Sequence, residues 1–167
     1  MLAPPSMNIT RGGRCAAMCV TVFLAAAPAS SDSQIDALEA AAERLAAQRK
    51  ERMAVWHAKA YQPRIAAFRA ALGAFERAAG EPVDWRRAKP QCRELALAAA
   101  AAKRDRALVE APDYQVRTYL PQVLDRYEQT AVACHVGLLY EARPLLAAAL
   151  AAERDFRTAL FKYGLSR

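Results

Sequence analysis

Two cysteines, two histidines and one methionine carry most of the chemistry this sequence can offer. His57 stands four residues after Met53, so on a helix the two share one side, and His135 follows Cys134 directly. Imidazole and thioether are axial ligands for haem iron, which makes Met53, His57 and His135 the candidates for a haem-binding electron carrier. Met53 and His57 together offer a choice of one ligand, since neighbours on one helix side cannot grip an iron from both faces. A metal site has less support, because neither histidine has an acidic or thiol ligand three or four residues away, as HExxH and Glu-x-x-His sites require.

The run Ala131-Val132-Ala133-Cys134-His135 resembles the covalent haem attachment motif CxxCH with its first cysteine missing. That attachment takes two thiols, and Cys134 has another use. No GxSxG elbow is present, and Asp125 with Glu128, at a spacing of three, reads as a solvated helix face rather than an acid–base pair. No catalytic residue and no cofactor are therefore assigned, haem standing as the alternative.

The other use of Cys134 follows from where the chain is expected to go. Arg11 and Arg14 precede an apolar stretch from Cys15 to Ala27, and Ala27-Pro28-Ala29 ends it with small residues at a peptidase spacing. This is the layout of a secretory signal over residues 1–29, too short for a membrane span and followed at once by Ser30-Ser31-Asp32-Ser33. The expected mature chain, 30–167, is a single domain in the periplasm or outside the cell. It retains two cysteines, Cys92 and Cys134, and an oxidising compartment favours their pairing.

Geometry supports the pairing. Glu110-Ala111-Pro112-Asp113 reads as a short connection between two helices, and Cys92 and Cys134 lie about 20 residues to either side of it. At a rise of about 1.5 Å per residue an antiparallel hairpin brings them to one height. Both sit on apolar stripes, Cys92 with Leu95, Ala99 and Ala102, and Cys134 with Leu120, Val123, Tyr127, Ala131 and Leu138.

The elements that must hold these residues are helices. Of 167 residues 41 are Ala and only 6 are Gly, with few β-branched residues, a balance that favours helix nearly everywhere. One helix is predicted over 34–61, with Ser33 as cap and Ile35, Leu38, Ala42 and Leu45 on one side, then a kink or restart at Pro63. Ile65, Phe68, Leu72, Phe75 and Ala79 form a heptad seam ending at Gly80, and Asp84 caps the next helix. That third segment, reaching Val109, includes Leu95 to Ala102 without a polar residue, which calls for burial on all sides. A helix follows over 114–140 behind an Asp113 cap. Pro144 opens the last, burying Leu146, Leu150, Phe156, Leu160 and Tyr163, pairing Glu153 with Arg157 on its surface and closing at Gly164. The expected fold is all-α, an up-down antiparallel bundle of four or five helices, some kinked at proline.

Net charge is +7, and +5 once Arg11 and Arg14 depart, since 22 basic residues then face 17 acidic ones. Such a balance favours acidic partners or an anionic envelope surface, and no nucleic-acid motif accompanies it. The function expected is macromolecular binding as an accessory, chaperone-like or immunity-type factor. Trp85 beside Arg86 and Arg87, and Trp56 near Arg52, are the candidate partner anchors.

Overall fold

Alanine-rich, glycine-poor sequence does form helix along almost all of the described residues. The computed structural model describes residues 31–165, and the expected leader, residues 1–29, lies outside them. The helices are α1 (Ser31–Trp56), α2 (Gln62–Ala79), α3 (Trp85–Arg104), the short α4 (Arg106–Val109), α5 (Tyr114–Val136) and α6 (Leu139–Phe161), with no strand among the described residues. Two units divide the chain, Met1–Ala37 and Leu38–Arg167, and the packed bundle is the second.

Pro63 neither breaks the chain nor restarts it. A π-helical turn, His57–Tyr61, joins α1 to α2, and the Gln62 amide bonds the His57 carbonyl five residues back. Proline has no N–H to give the carbonyl four residues before it, and here the Arg64 guanidinium takes that place, donating to the Lys59 carbonyl at 3.0 Å. Ser33, the expected cap, lies inside α1.

The expected caps at Asp84 and Asp113 are present. Each side chain accepts two backbone N–H bonds, from Arg86 and Arg87 and from Gln115 and Val116. Asp105 caps α4 and so interrupts the expected third helix. At the far end of α5, Gly137 adopts φ 91°, and the Leu138 amide bonds the Ala133 carbonyl at 2.8 Å, a Schellman end. The helix therefore stops short of Tyr140, and α6 begins at Leu139 with Pro144 in its second turn. Gly164, φ 72°, closes α6 the same way through Leu165 to Leu160.

Antiparallel order shows in the cross-links. Trp56, at the end of α1, bonds Ala107 of α4, beyond the end of α3, while Phe75 near the end of α2 meets Trp85 at the start of α3. Lys103 bridges to Asp125 and Glu128 at 2.9 and 2.5 Å, so the carboxylate spacing belongs to an α3–α5 ion-pair network. Cys92 and Cys134 are disulfide-bonded, with Cα atoms 6.0 Å apart and both side chains buried. The predicted Glu153–Arg157 pair forms on α6.

Close packing runs α2 to α3, α3 to α5 and α5 to α6. Ile65, Phe68, Phe75 and Ala79 are buried as predicted, with Leu72 half-buried. Several expected apolar positions are instead exposed, among them Ile35, Leu38 and Leu45 of α1 and Leu138 of the Cys134 stripe. Leu97 is 56% exposed, so the all-apolar α3 segment buries one side only, and Leu150 of α6 is 43% exposed.

Asp113 joins two helix ends, because its carboxylate also accepts the Tyr163 hydroxyl at 2.7 Å. Burial pushes the carboxyl upward, but the bonds from Tyr163, Val116 and Gln115 outweigh it and hold Asp113 below the ordinary 3.8. A depressed carboxyl stabilises the fold above its unfolded pKa, and that contribution is lost as pH falls through the folded value. Asp113→Ala is therefore expected to cost about 1 kcal/mol at neutral pH, and the gap from wild type to narrow toward pH 3 in urea titrations. A gap that stays constant with pH overturns the assignment.

Candidate functional site

α2 and α6 stand apart, without the sustained backbone contact of the other neighbouring helices. Between them lies a groove with α5 as its floor. α2 contributes Ile65, Phe68 and Leu72, α6 contributes Phe156 and Leu160, and Leu120 and Val123 of α5 lie beneath, lining a cavity of about 260 Å³. Spacings of three and four put each set on one helix side. Tyr61 and Phe156 meet across the seam with ring centroids 5.7 Å apart, and Phe68 meets Tyr127 edge-on at 5.6 Å. Further along the seam a second hollow, about 380 Å³, is walled by Leu72, Phe75, Val83, Leu146 and Leu150. The exposed Leu150 thus belongs to a groove wall.

Polar groups gather at one rim. Glu153 accepts from the Tyr127 hydroxyl at 2.6 Å and pairs with Arg157 at 2.5 Å, so its charge is answered within the fold. Burial, reinforced by the bond to Glu153, pushes the Tyr127 phenol far up and keeps it a donor. Arg69 is placed differently. Its guanidinium donates to the Gln62 amide oxygen at 2.9 Å and the Tyr61 hydroxyl at 3.3 Å, and lies 5.2 Å from the Tyr61 ring centroid. These partners are neutral, which leaves a cation beside an apolar slot.

The anchors expected from sequence have other positions. Trp85 is 5% exposed and packs on Phe75, and Trp56 is 7% exposed with its indole N–H on the Ala107 carbonyl. Both are core residues, so the anchor reading is corrected. Arg86 and Arg87 are exposed at the start of α3, their amides held by Asp84. The haem candidates do not converge. Met53 is fully buried, and His57 stacks on Tyr61 and hydrogen-bonds Gln62 near the end of the bundle that holds Ala107. Burial and then Arg69 lower the His57 pKa, keeping the ring neutral at pH 7. His135 is exposed at the opposite end, beside the disulfide, about 30 Å of helix away by rise per residue. One iron cannot bind both histidines.

Sequence reasoning missed the groove because Ile65, Phe68 and Leu72 read equally well as closed seam. The available signal was Arg69 next to Phe68 and Arg157 next to Phe156, charges set against the two facing stripes. Among the described residues no cluster of three or more His, Cys, Asp or Glu could hold a metal ion, and no helix is long and apolar enough to cross a membrane. No protein-family model, curated protein or solved structure matches the chain.

Proposed function

We propose that the protein is an exported binding factor, accessory, chaperone-like or immunity-type, that holds an apolar, acid-flanked segment of another envelope protein in the α2–α6 groove. The observation that carries this reading is Arg69, a cation with neutral partners at the rim of an apolar slot between two helices that stand apart. Apolar walls supply affinity without demanding a sequence, and a rim cation selects for acidic neighbours. The net charge of the chain acts in the same sense at longer range. Export is supported by the leader pattern in 1–29 and by the Cys92–Cys134 pair, whose thiols a reducing compartment would keep apart.

The test uses two fluorescein-labelled amphipathic peptides with one apolar face, differing only in acidic or basic flanks. Wild type is expected to bind the acidic-flanked peptide at least tenfold more tightly by fluorescence anisotropy. Arg69→Glu abolishes that preference, and Leu150→Asp weakens both peptides. Equal affinity of wild type for the two peptides, or a preference that survives Arg69→Glu, overturns the reading.

A further inference from the structure

On an α-helix, residues five apart point about 140° from one another, which would put His57 and Gln62 on different sides. The π turn changes this. Its wider hydrogen bond, from the Gln62 amide to the His57 carbonyl, brings the two side chains into line, and the side-chain nitrogen of Gln62 lies 3.0 Å from Nε2 of the ring. Gln62 in turn stands two helical turns before Arg69, on the same side, and its side-chain oxygen accepts from that guanidinium at 2.9 Å. One side chain thus joins the imidazole to the cation of the groove. Both ends also meet on Tyr61, with the His57 ring stacked at 5.2 Å between centroids and the guanidinium 5.2 Å from the Tyr61 centroid.

Bond directions fix what this link can do. With Arg69 on its oxygen, Gln62 has its NH2 turned to the ring and needs an acceptor there, which is a neutral imidazole carrying its proton on Nδ1. An imidazolium has no acceptor to give. Gln62 must then turn its oxygen to the ring, which sets its NH2 against the guanidinium and breaks that bond. We propose that His57 positions Arg69 through Gln62, so that a proton on His57 frees the guanidinium, adds a second positive charge behind Tyr61 at the groove rim and sharpens the preference for acidic flanks. This rests on the groove reading above and names what regulates it.

Of the charges around the ring, Arg69 is the one that acts on it. Lys59 on the turn itself is exposed, and Met53 and Trp56 before it are neutral. Beside α4, Asp105 is held by Arg64 at 3.3 Å and Arg106 by Glu110 at 3.7 Å. On α6, Glu153 and Arg157 pair with each other and act on Tyr61, whose phenol burial pushes up and keeps protonated. Burial and then Arg69 hold the His57 pKa below the ordinary 6.5, so the free protein takes up this proton only in mild acid. An acidic guest offsets the rim charge and raises that pKa, and by reciprocity the proton tightens the guest.

Amphipathic peptides with aspartate or lysine flanks, each carrying a pH-insensitive rhodamine, are titrated by anisotropy at pH 7.5 and 5.5 against protein expressed from the entire sequence. The wild-type preference for the acidic peptide is expected to rise about fivefold at the lower pH, the order of effect of a unit charge across a partly solvated rim. His57→Gln, which can accept from Gln62 but takes no proton, makes the preference independent of pH, and His135→Gln keeps the rise. In NMR spectra of the wild type without peptide, the Arg69 Nε–H signal moves with the same midpoint as the His57 ring. An Arg69 signal that ignores His57 overturns the proposal, as does an acidic preference equal at both pH values or a rise that survives His57→Gln, and each of these leaves the groove reading standing. No acidic preference at either pH overturns the groove reading and this regulation with it.

Discussion

Cys92→Ser is expected to lower the unfolding free energy by about 4 kcal/mol and the melting temperature by roughly 10–15 °C. The bond closes a loop with a sequence separation of 42, and the entropy withheld from the unfolded chain grows with the logarithm of that length. Cys134→Ser and a reducing agent should each produce the same loss, and the double variant no more than either single. Non-additivity is the diagnostic, since two independent buried thiols would show separate effects. Intact-mass analysis of native material, alkylated without reductant, checks the pairing together with the proposed export. The expected species lacks the leader and carries no alkyl group on Cys92 or Cys134. A chain that keeps residues 1–29 and is alkylated at both sulfurs sinks the export and the staple at once.

Trp85→Ala is the second large effect, about 3–5 kcal/mol in urea titrations. The indole is 5% exposed, opens α3 directly after the Asp84 cap, and lies 6.2 Å from the Phe75 ring between centroids. Its removal leaves a void where α2 turns into α3, and nearby polar structure cannot refill it. Trp85→Phe should recover more than half of the loss. Arg86→Ala and Arg87→Ala, on exposed neighbours, should stay within about 0.5 kcal/mol of wild type. If Trp85→Ala instead leaves stability intact and lowers peptide affinity, the indole is a binding anchor and its role in packing is refuted.

Local chemistry made much of the fold readable. Asp84 and Asp113 could be recognised as caps because a short carboxylate before an apolar period satisfies free amides whatever the tertiary context. Cys92 and Cys134 could be matched because helix rise is constant, so height follows from counting. Proline misled in the other direction. Its lost hydrogen bond costs less where another donor is at hand, as Arg64 is for Lys59, and at Pro144 the helix runs through the loss of one bond beyond its first turn. The true stop was Gly137, a glycine end of the kind read correctly at Gly80 and Gly164 but passed over here inside the expected helix 114–140. Alanine hid the rest. From Leu95 to Ala102 a methyl group faces every direction, so only tertiary contact decides that Ala99 is buried and Leu97 exposed.

The candidate site was less legible, for a related reason. Hydrophobic period shows which side of a helix turns inward but not how far off the next helix stands. Ile65, Phe68 and Leu72 look the same whether α6 presses on them or leaves a slot. Tryptophan beside arginine, the pattern that drew attention to Trp85, describes a buried ring at a helix start as well as an exposed anchor.

Because the covalent tie joins α3 to α5, the inner two of four successive rods, stiffness is concentrated in the middle and compliance at the margins. α2 and α6 each lean on one tied neighbour, and the ring contact across the groove runs from Tyr61, just before α2, to Phe156. Prying them apart strains no covalent bond. On the binding function proposed above, the mouth would adjust its width to guests of different girth while the spine behind it keeps its shape.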